Sequence, residues 1–165
     1  MYKVGGLFSG VGGIELGFKN QGFDIRWAND NDIHCSKTYE INHKHKYILK
    51  DIHKLSASEL ESVDVMTGGF PCQAFSVAGY RKGLKDERGN LFFEILRLID
   101  EFDNPPKVLL LENVKNFSTH DNGRTLKILR EELESRDYCV FTHVLNTADY
   151  TSIPQNRERT FIICF

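Results

Sequence analysis

Short apolar runs alternate with amphipathic stretches along the whole chain, and that alternation leaves few folds open. Apolar runs separated by helix-length segments read as parallel strands joined by crossover helices, the pattern of a doubly wound α/β sheet. Residues 4–8 read as the first strand and 13–21 as the helix after it. Residues 24–29 form the second strand. A helix over 32–42 follows, with Asp30, Asn31 and Asp32 all suited to cap it. Residues 47–49 make a short third strand, and Ser56 with Glu59 forms a capping box over a short helix. The fourth strand is 63–67. An amphipathic helix over 91–102 ends at Pro105-Pro106, which launch the fifth strand, 108–111. A helix over 122–136 carries Leu126, Leu129 and Leu133 on one face. Residues 140–145 and 161–165 are the last two strands.

The 165 residues suit one domain. With 41% hydrophobic residues the core is sizeable, and a domain of this size buries roughly 70% of its unfolded surface. A net charge of -2 and a pI of about 6.3 give no overall attraction to nucleic acid or to an anionic membrane. Affinity for nucleic acid must then come from a local patch or from another part. Cys35, Cys72, Cys139 and Cys164 form no C-x-x-C pair, which argues against structural zinc, and no metal is expected. With no leader and no long apolar run, free thiols in a reducing cytoplasm are expected, and no membrane partner.

Four stretches carry chemistry. Leu7-Phe8-Ser9-Gly10-Val11-Gly12-Gly13 lies between a strand and a helix, where a glycine turn lets a nucleotide-like ligand approach the backbone. It is Gly-x-Gly-Gly, not the dinucleotide Gly-x-Gly-x-x-Gly, and by itself it also fits a tight structural turn. Asp30 ends the second strand, placed to accept hydrogen bonds from ribose hydroxyls. Asp51, after the third strand, has two readings: a partner for an adenine amino group, or a helix cap beside Ile52.

Gly69-Phe70-Pro71-Cys72-Gln73 puts a thiol just past the fourth strand, at the sheet edge where open α/β proteins bind ligands. Pro71 stiffens the approach to it. A lone cysteine is ordinarily an inert small hydrophobe; this turn favours a nucleophile. Leu111-Glu112-Asn113-Val114 brings an acid to the end of the neighbouring fifth strand, where a half-buried carboxyl can hold and donate a proton. A turn cap or a lysine pair is the other reading. In Gln155-Asn156-Arg157-Glu158-Arg159, alternate positions of an extended segment face one way, so Arg157 and Arg159 project together. The ordinary fate of such a run is a solvated surface. The polar, glycine-bearing loop over 70–88 has the length of a functional lid.

Taken together, Leu7-Phe8-Ser9-Gly10-x-Gly12-Gly13, Gly69-Phe70-Pro71-Cys72-Gln73-x-Phe75-Ser76, Arg88-Gly89-x-Leu91-Phe92, Glu112-Asn113-Val114 and Gln155-x-Arg157-x-Arg159 resemble the DNA (cytosine-5) methyltransferases of bacterial restriction–modification systems, over essentially the whole chain. The resemblance implies a Rossmann-like sheet, S-adenosylmethionine as cofactor and double-stranded DNA as partner. It assigns cofactor binding to Phe8, Ser9, Gly10, Gly12, Gly13, Asp30, Asn31, Asp51, Ile52, Pro71 and Leu91. It assigns catalysis to Cys72, Glu112, Arg157 and Arg159. Cys72 would add to carbon 6 of cytosine, Glu112 would hold ring nitrogen 3 and the exocyclic amine, Arg159 would contact the ring carbonyl oxygen, and Arg157 would support the site. The target base leaves the stack, at a cost of about a few kcal/mol. Gln73, Ser76, Arg81, Lys82, Lys85 and Arg88 would meet DNA, the basic ones at phosphates.

Two departures bear on the cofactor. The family often has an acid before Leu-Phe of the glycine turn, where this chain has Gly6; many members have a bulky aromatic after the ribose-binding acid, where this chain has Asn31. Adenine packing then falls to Ile33 or Ile52. The family also continues into a target-recognition domain and a closing segment. The chain is therefore expected to be a fragment, a truncated product or one subunit of a split enzyme, with a second polypeptide carrying recognition. Alternatives are an RNA cytosine-5 methyltransferase and a silent cofactor-binding module that needs a partner. A nicotinamide oxidoreductase is a more distant reading, opposed by Cys72 and Glu112 on adjacent strands.

Overall fold

The computed structural model describes residues 1–71 and 91–165. The expectations placed on Cys72, Gln73, Ser76, Arg81, Lys82, Lys85 and Arg88 lie outside the described residues. Seven strands form one sheet in the order β3-β2-β1-β4-β5-β7-β6: β1 (Lys3–Leu7), β2 (Asp24–Asp30), β3 (Lys46–Leu49), β4 (Val65–Gly68), β5 (Val108–Val114), β6 (Val140–Asn146) and β7 (Glu158–Cys164). Strands β1 to β5 pair in parallel, while β7 runs antiparallel to both β5 and β6. Among the described residues the α-helices are α1 (Gly13–Asn20), α2 (Ile33–Asn42), α3 (Leu91–Glu101), α4 (Arg124–Glu134) and the single turn α5 (Thr147–Tyr150).

Alternation along the strands sorts side chains onto two faces. Val4, Val65 and Val108 stand in register and pack, with Ile25, against Phe18 of α1. One residue on, Met66 and Leu109 point the other way, into the larger core with Phe92, Ile95 and Leu96 of α3 and Leu129 and Leu133 of α4. Buried positions at helical spacing on α3 supply that contact, and each such side chain stabilises the fold by roughly 1.5–3 kcal/mol. Arg97 on α3 donates from Nη2 to the carbonyls of Ile52 (2.8 Å) and Leu55 (2.9 Å). It thereby holds the 3-10 turn Ile52–Lys54 against the helix. The capping box expected from Ser56 and Glu59 is present, on the 3-10 turn Ala57–Glu59.

Of the boundaries that differ from expectation, three have a clear physical cause. β5 continues to Val114 and β7 starts at Glu158, because the two form an antiparallel ladder through Glu112↔Phe161, Asn113↔Thr160 and Val114↔Arg159. Glu112 and Arg159 therefore lie inside strands, not at their edges. α4 begins at Arg124, since Asp121, Asn122 and Gly123 have φ of 50°, 53° and 80°. The single turn α5, capped by the Asn146 side chain, was not foreseen. At the far end of the sheet Phe141 pairs with Ile163 and stacks on Phe165; the three are 55%, 39% and 60% exposed.

Candidate active site

The glycine turn leaves β1 through Phe8, whose φ is 54°, and Gly10 and Gly12 continue it at 53° and 91°. Three hydrogen bonds fix it: Ser9 N–H to the Asn29 carbonyl (3.0 Å), Gly10 N–H to Asp30 Oδ2 (2.9 Å) and Gly12 N–H to the Ser9 carbonyl (2.9 Å). Gly12 permits the close approach of α2's partners, for a Cβ there would lie 2.3 Å from His43 Nε2 and 2.7 Å from Tyr39 Cε2.

Beside the turn opens a cleft of about 300 Å³ at the carboxyl ends of the parallel strands. Phe8, Asp30, Asn31, Asp51, Ile52, Pro71 and Leu91 line it, all expected from the sequence. Ser9, Gly10, Gly12 and Gly13 shape the turn without lining the cleft. Ile52 is buried in its wall, whereas Ile33 is 48% exposed and does not line it; of the two residues considered for adenine packing, only Ile52 is in place.

Sequence reasoning missed Asn29, Lys50 and His53. Asn29 is buried and donates its amide to the carbonyls of Ile48 and Lys50, each at 2.8 Å, clamping the ends of β2 and β3. Asn29 directly follows the apolar pair Trp27-Ala28, and that was the available signal. Asp51 accepts the His53 N–H at 3.0 Å and sits 2.8 Å from His53 Nδ1. The His53 side chain, then its backbone N–H, holds the Asp51 carboxyl below the usual range. Asp51 is thus a cap and also a cleft residue. Asp30 likewise has backbone work, accepting from Gly10 on Oδ2 and from Asp32 N–H on Oδ1 (3.1 Å); each oxygen keeps a lone pair for a ligand.

A second cluster stands on β5 and β7. Arg159 Nε lies 2.9 Å from Glu112 Oε1, and Arg157 Nη2 lies 4.0 Å from the same oxygen. The other oxygen, Oε2, faces the turn after β4: a Cβ on Gly69 would lie 3.6 Å from it. Asn146 positions the Arg157 segment, accepting the Arg157 N–H at 3.0 Å and donating to Asn156 Oδ1 at 2.8 Å. Glu112, Arg157 and Arg159 share a cavity of about 270 Å³ with Ile14, Tyr150 and Phe161. Phe70 is pinned twice. Its ring is buried 5.8 Å from Phe92 and 5.5 Å from Phe117, and its carbonyl accepts the Asn113 amide at 2.8 Å. The described chain therefore reaches Pro71 from a fixed point, beside Glu112.

Among the described residues no cluster of His, Cys, Asp and Glu suits a metal ion, and no helix is long and apolar enough to cross a membrane.

A doubly wound sheet with a ligand cleft at its carboxyl edge defines a Rossmann-like nucleotide-binding architecture, here with a carboxylate held by arginines beside the cleft. The chain belongs to the C-5 cytosine-specific DNA methylases, whose family profile matches residues 2–165. It is 50% identical over 167 residues to the type II methyltransferase M.Bsp6I of Bacillus sp. (strain RFL6), covering 100% of this chain and 52% of that protein. It is 42% identical over 159 residues to M.HhaI of Haemophilus parahaemolyticus, covering 96% and 47%. Among solved structures, the Dnmt2 methyltransferase of S. pombe superposes with a TM-score of 0.81 at 27% identity, over 99% of this chain and 50% of that one. The chain spans about half the length of the curated relatives it matches.

Proposed function

We propose that residues 1–165 form the cofactor-binding and catalytic part of an enzyme that methylates carbon 5 of cytosine in double-stranded DNA. The observation that carries this reading is Glu112: Oε1 is held by Arg159, and Oε2 is turned toward Gly69, on the turn that leads to Cys72.

The cleft suits S-adenosylmethionine by its donor set and shape. Asp30 offers carboxylate lone pairs for ribose hydroxyls, and Ile52, Phe8 and Leu91 offer apolar walls for adenine. Asn31 and Asp51, which line the same cleft, would meet the adenine rim. The Gly12 turn brings backbone close to the amino-acid end. When bound, the cofactor supplies an electrophilic methyl group.

The chain's own groups prepare the cytosine. Carbon 5 is a poor nucleophile until the Cys72 thiolate adds to carbon 6. Glu112 would hand a proton from Oε2 to ring nitrogen 3 as negative charge develops there, accept a hydrogen bond from the exocyclic amine, and take the proton back when the ring is restored. Arg159 contacts the ring carbonyl oxygen while fixing Glu112, and Arg157 supports both. After carbon 5 is methylated, loss of its proton to a base expels the Cys72 thiolate and restores the ring. The cytosine must be flipped out for this. Gln73, Ser76, Arg81, Lys82, Lys85 and Arg88 are proposed to meet the DNA around it.

A further polypeptide segment is proposed to supply sequence recognition. Two observations support this: the chain spans about half of its curated relatives, and Phe141, Ile163 and Phe165 present an exposed apolar patch. The test is tritiated-methyl incorporation into duplex DNA by this chain, with and without the C-terminal half of a relative such as M.Bsp6I. Incorporation is expected only with both. Robust sequence-specific methylation by residues 1–165 alone would overturn the division of labour, and methylation of RNA alone would move the substrate class.

Asp30→Ala is expected to weaken S-adenosylhomocysteine binding by about 10- to 100-fold, the scale of hydrogen bonds to a charged group. Calorimetry reads this directly. Unchanged affinity would remove Asp30 from the ribose site.

A further inference from the structure

One carboxyl near the cleft has no part in the chemistry above. Glu15, in the first turn of α1, is only 1% exposed. Its side chain folds back onto the glycine turn, where Oε1 accepts the Ser9 hydroxyl at 2.7 Å. Among the described residues Oε2 has no hydrogen-bond partner. Space for this carboxyl exists because position 6 is glycine: a Cβ there would lie 1.9 Å from Glu15 Oε1 and 2.6 Å from Ser9 Oγ. The sequence departure at Gly6 is thus answered from the helix, by a carboxyl lying over the same point of β1.

Burying a carboxylate on one neutral hydroxyl is unfavourable. Burial accordingly pushes the Glu15 carboxyl above its ordinary pKa, against the smaller opposing effect of the Ser9 hydrogen bond. A helix that needed only a filled space here would be better served by an apolar residue of similar volume. The arrangement makes sense if a cation arrives nearby. Ser9 gives the polarity: its one hydroxyl proton is committed to Glu15, so Ser9 Oγ offers only lone pairs to a ligand. The N–H groups opening α1, by contrast, favour an anion. The two ends of the turn therefore match the ammonium and the carboxylate of one amino acid.

We propose that Glu15 is a positioning residue that fixes Ser9 as the acceptor for the α-ammonium of the cofactor's amino-acid end, and so makes the site prefer adenosyl ligands that carry the amino acid. This rests on the cofactor reading above. The probes are S-adenosylhomocysteine and 5′-methylthioadenosine, which keeps the adenosine and thioether but lacks the amino acid. Both are titrated calorimetrically against the wild-type chain, Glu15→Gln and Ser9→Ala. Glutamine keeps the size and an acceptor for Ser9 but loses the charge.

In both variants S-adenosylhomocysteine is expected to bind about 10-fold or more weakly, the scale of a charge-assisted hydrogen bond, while methylthioadenosine binds as before. Thermal unfolding without ligand serves as the fold control. A carboxyl with a raised folded-state pKa costs stability as pH rises above its unfolded value. Glu15→Gln should therefore melt no lower than wild type at neutral pH. Equal losses for both ligands, or no loss for either, would make Glu15 merely structural and overturn the inference. Wild type that binds both ligands equally well would also overturn it. Wild type that binds neither would instead overturn the cofactor reading on which it rests.

Discussion

Cys72→Ala, assayed together with the C-terminal half of a relative such as M.Bsp6I, is expected to abolish methyl transfer while leaving S-adenosylhomocysteine affinity unchanged. Loss of a nucleophile acts on the order of 10⁶ in turnover where it has been dissected in a serine protease, so residual activity should fall below detection. The sharper measurement is trapping. DNA bearing 5-fluorocytosine cannot lose a proton from carbon 5, so the thioether to carbon 6 persists through a denaturing gel. Peptide mapping should place it on Cys72. An adduct on Cys35 or Cys139, or on Cys164, which is buried in the core, would end the proposed mechanism, as would unchanged trapping in the alanine variant.

Glu112→Gln is expected to slow single-turnover methylation by roughly 10² or more, the usual scale of acid–base assistance. Gln keeps the shape of the side chain but cannot pair as an anion with Arg159, now 2.9 Å from Oε1. Cofactor affinity should not move, because Glu112 is absent from the cofactor cleft. A near-normal rate would reduce Glu112 to a structural partner of the two arginines. A parallel loss of cofactor binding would mean that the two cavities are not functionally separate.

How much of this was legible in the sequence depends on the range of the interaction. The glycine turn, Asp30 at the end of β2, Ser56 with Glu59, and the neighbours of β4 follow from local pattern and from the handed, short connections of α/β folds. The extension of β5 to Val114 does not. It requires β7, whose residues lie far along the chain, and no local signal near Glu112 announces that partner. For the same reason Arg157 and Arg159 read equally well as a solvated run until Glu112 stands opposite them. Asn29 and Glu15 were missed, since an asparagine after Trp27-Ala28 and an acid beside a glycine-rich turn name no partner by themselves. What each touches is set by β3 and by the vacancy at Gly6.

The strand order has a consequence for how the two halves of the site depend on each other. β6 reaches the sheet only through β7, and β7 reaches it only through β5. Within the sheet the final hairpin is thus joined through a single ladder, and it carries Arg159 with Arg157 at its threshold. Loosening that ladder would release both guanidinium groups from Glu112 at once. The described walls of the cofactor cleft are all drawn from residues 8–91, outside that ladder, and are tied to it where the Asn113 amide holds the Phe70 carbonyl. Under the proposed function, the methyl donor and the base are held by parts that meet at the turn after β4, so loosening the hairpin is expected to weaken the grip on the base before the grip on the donor.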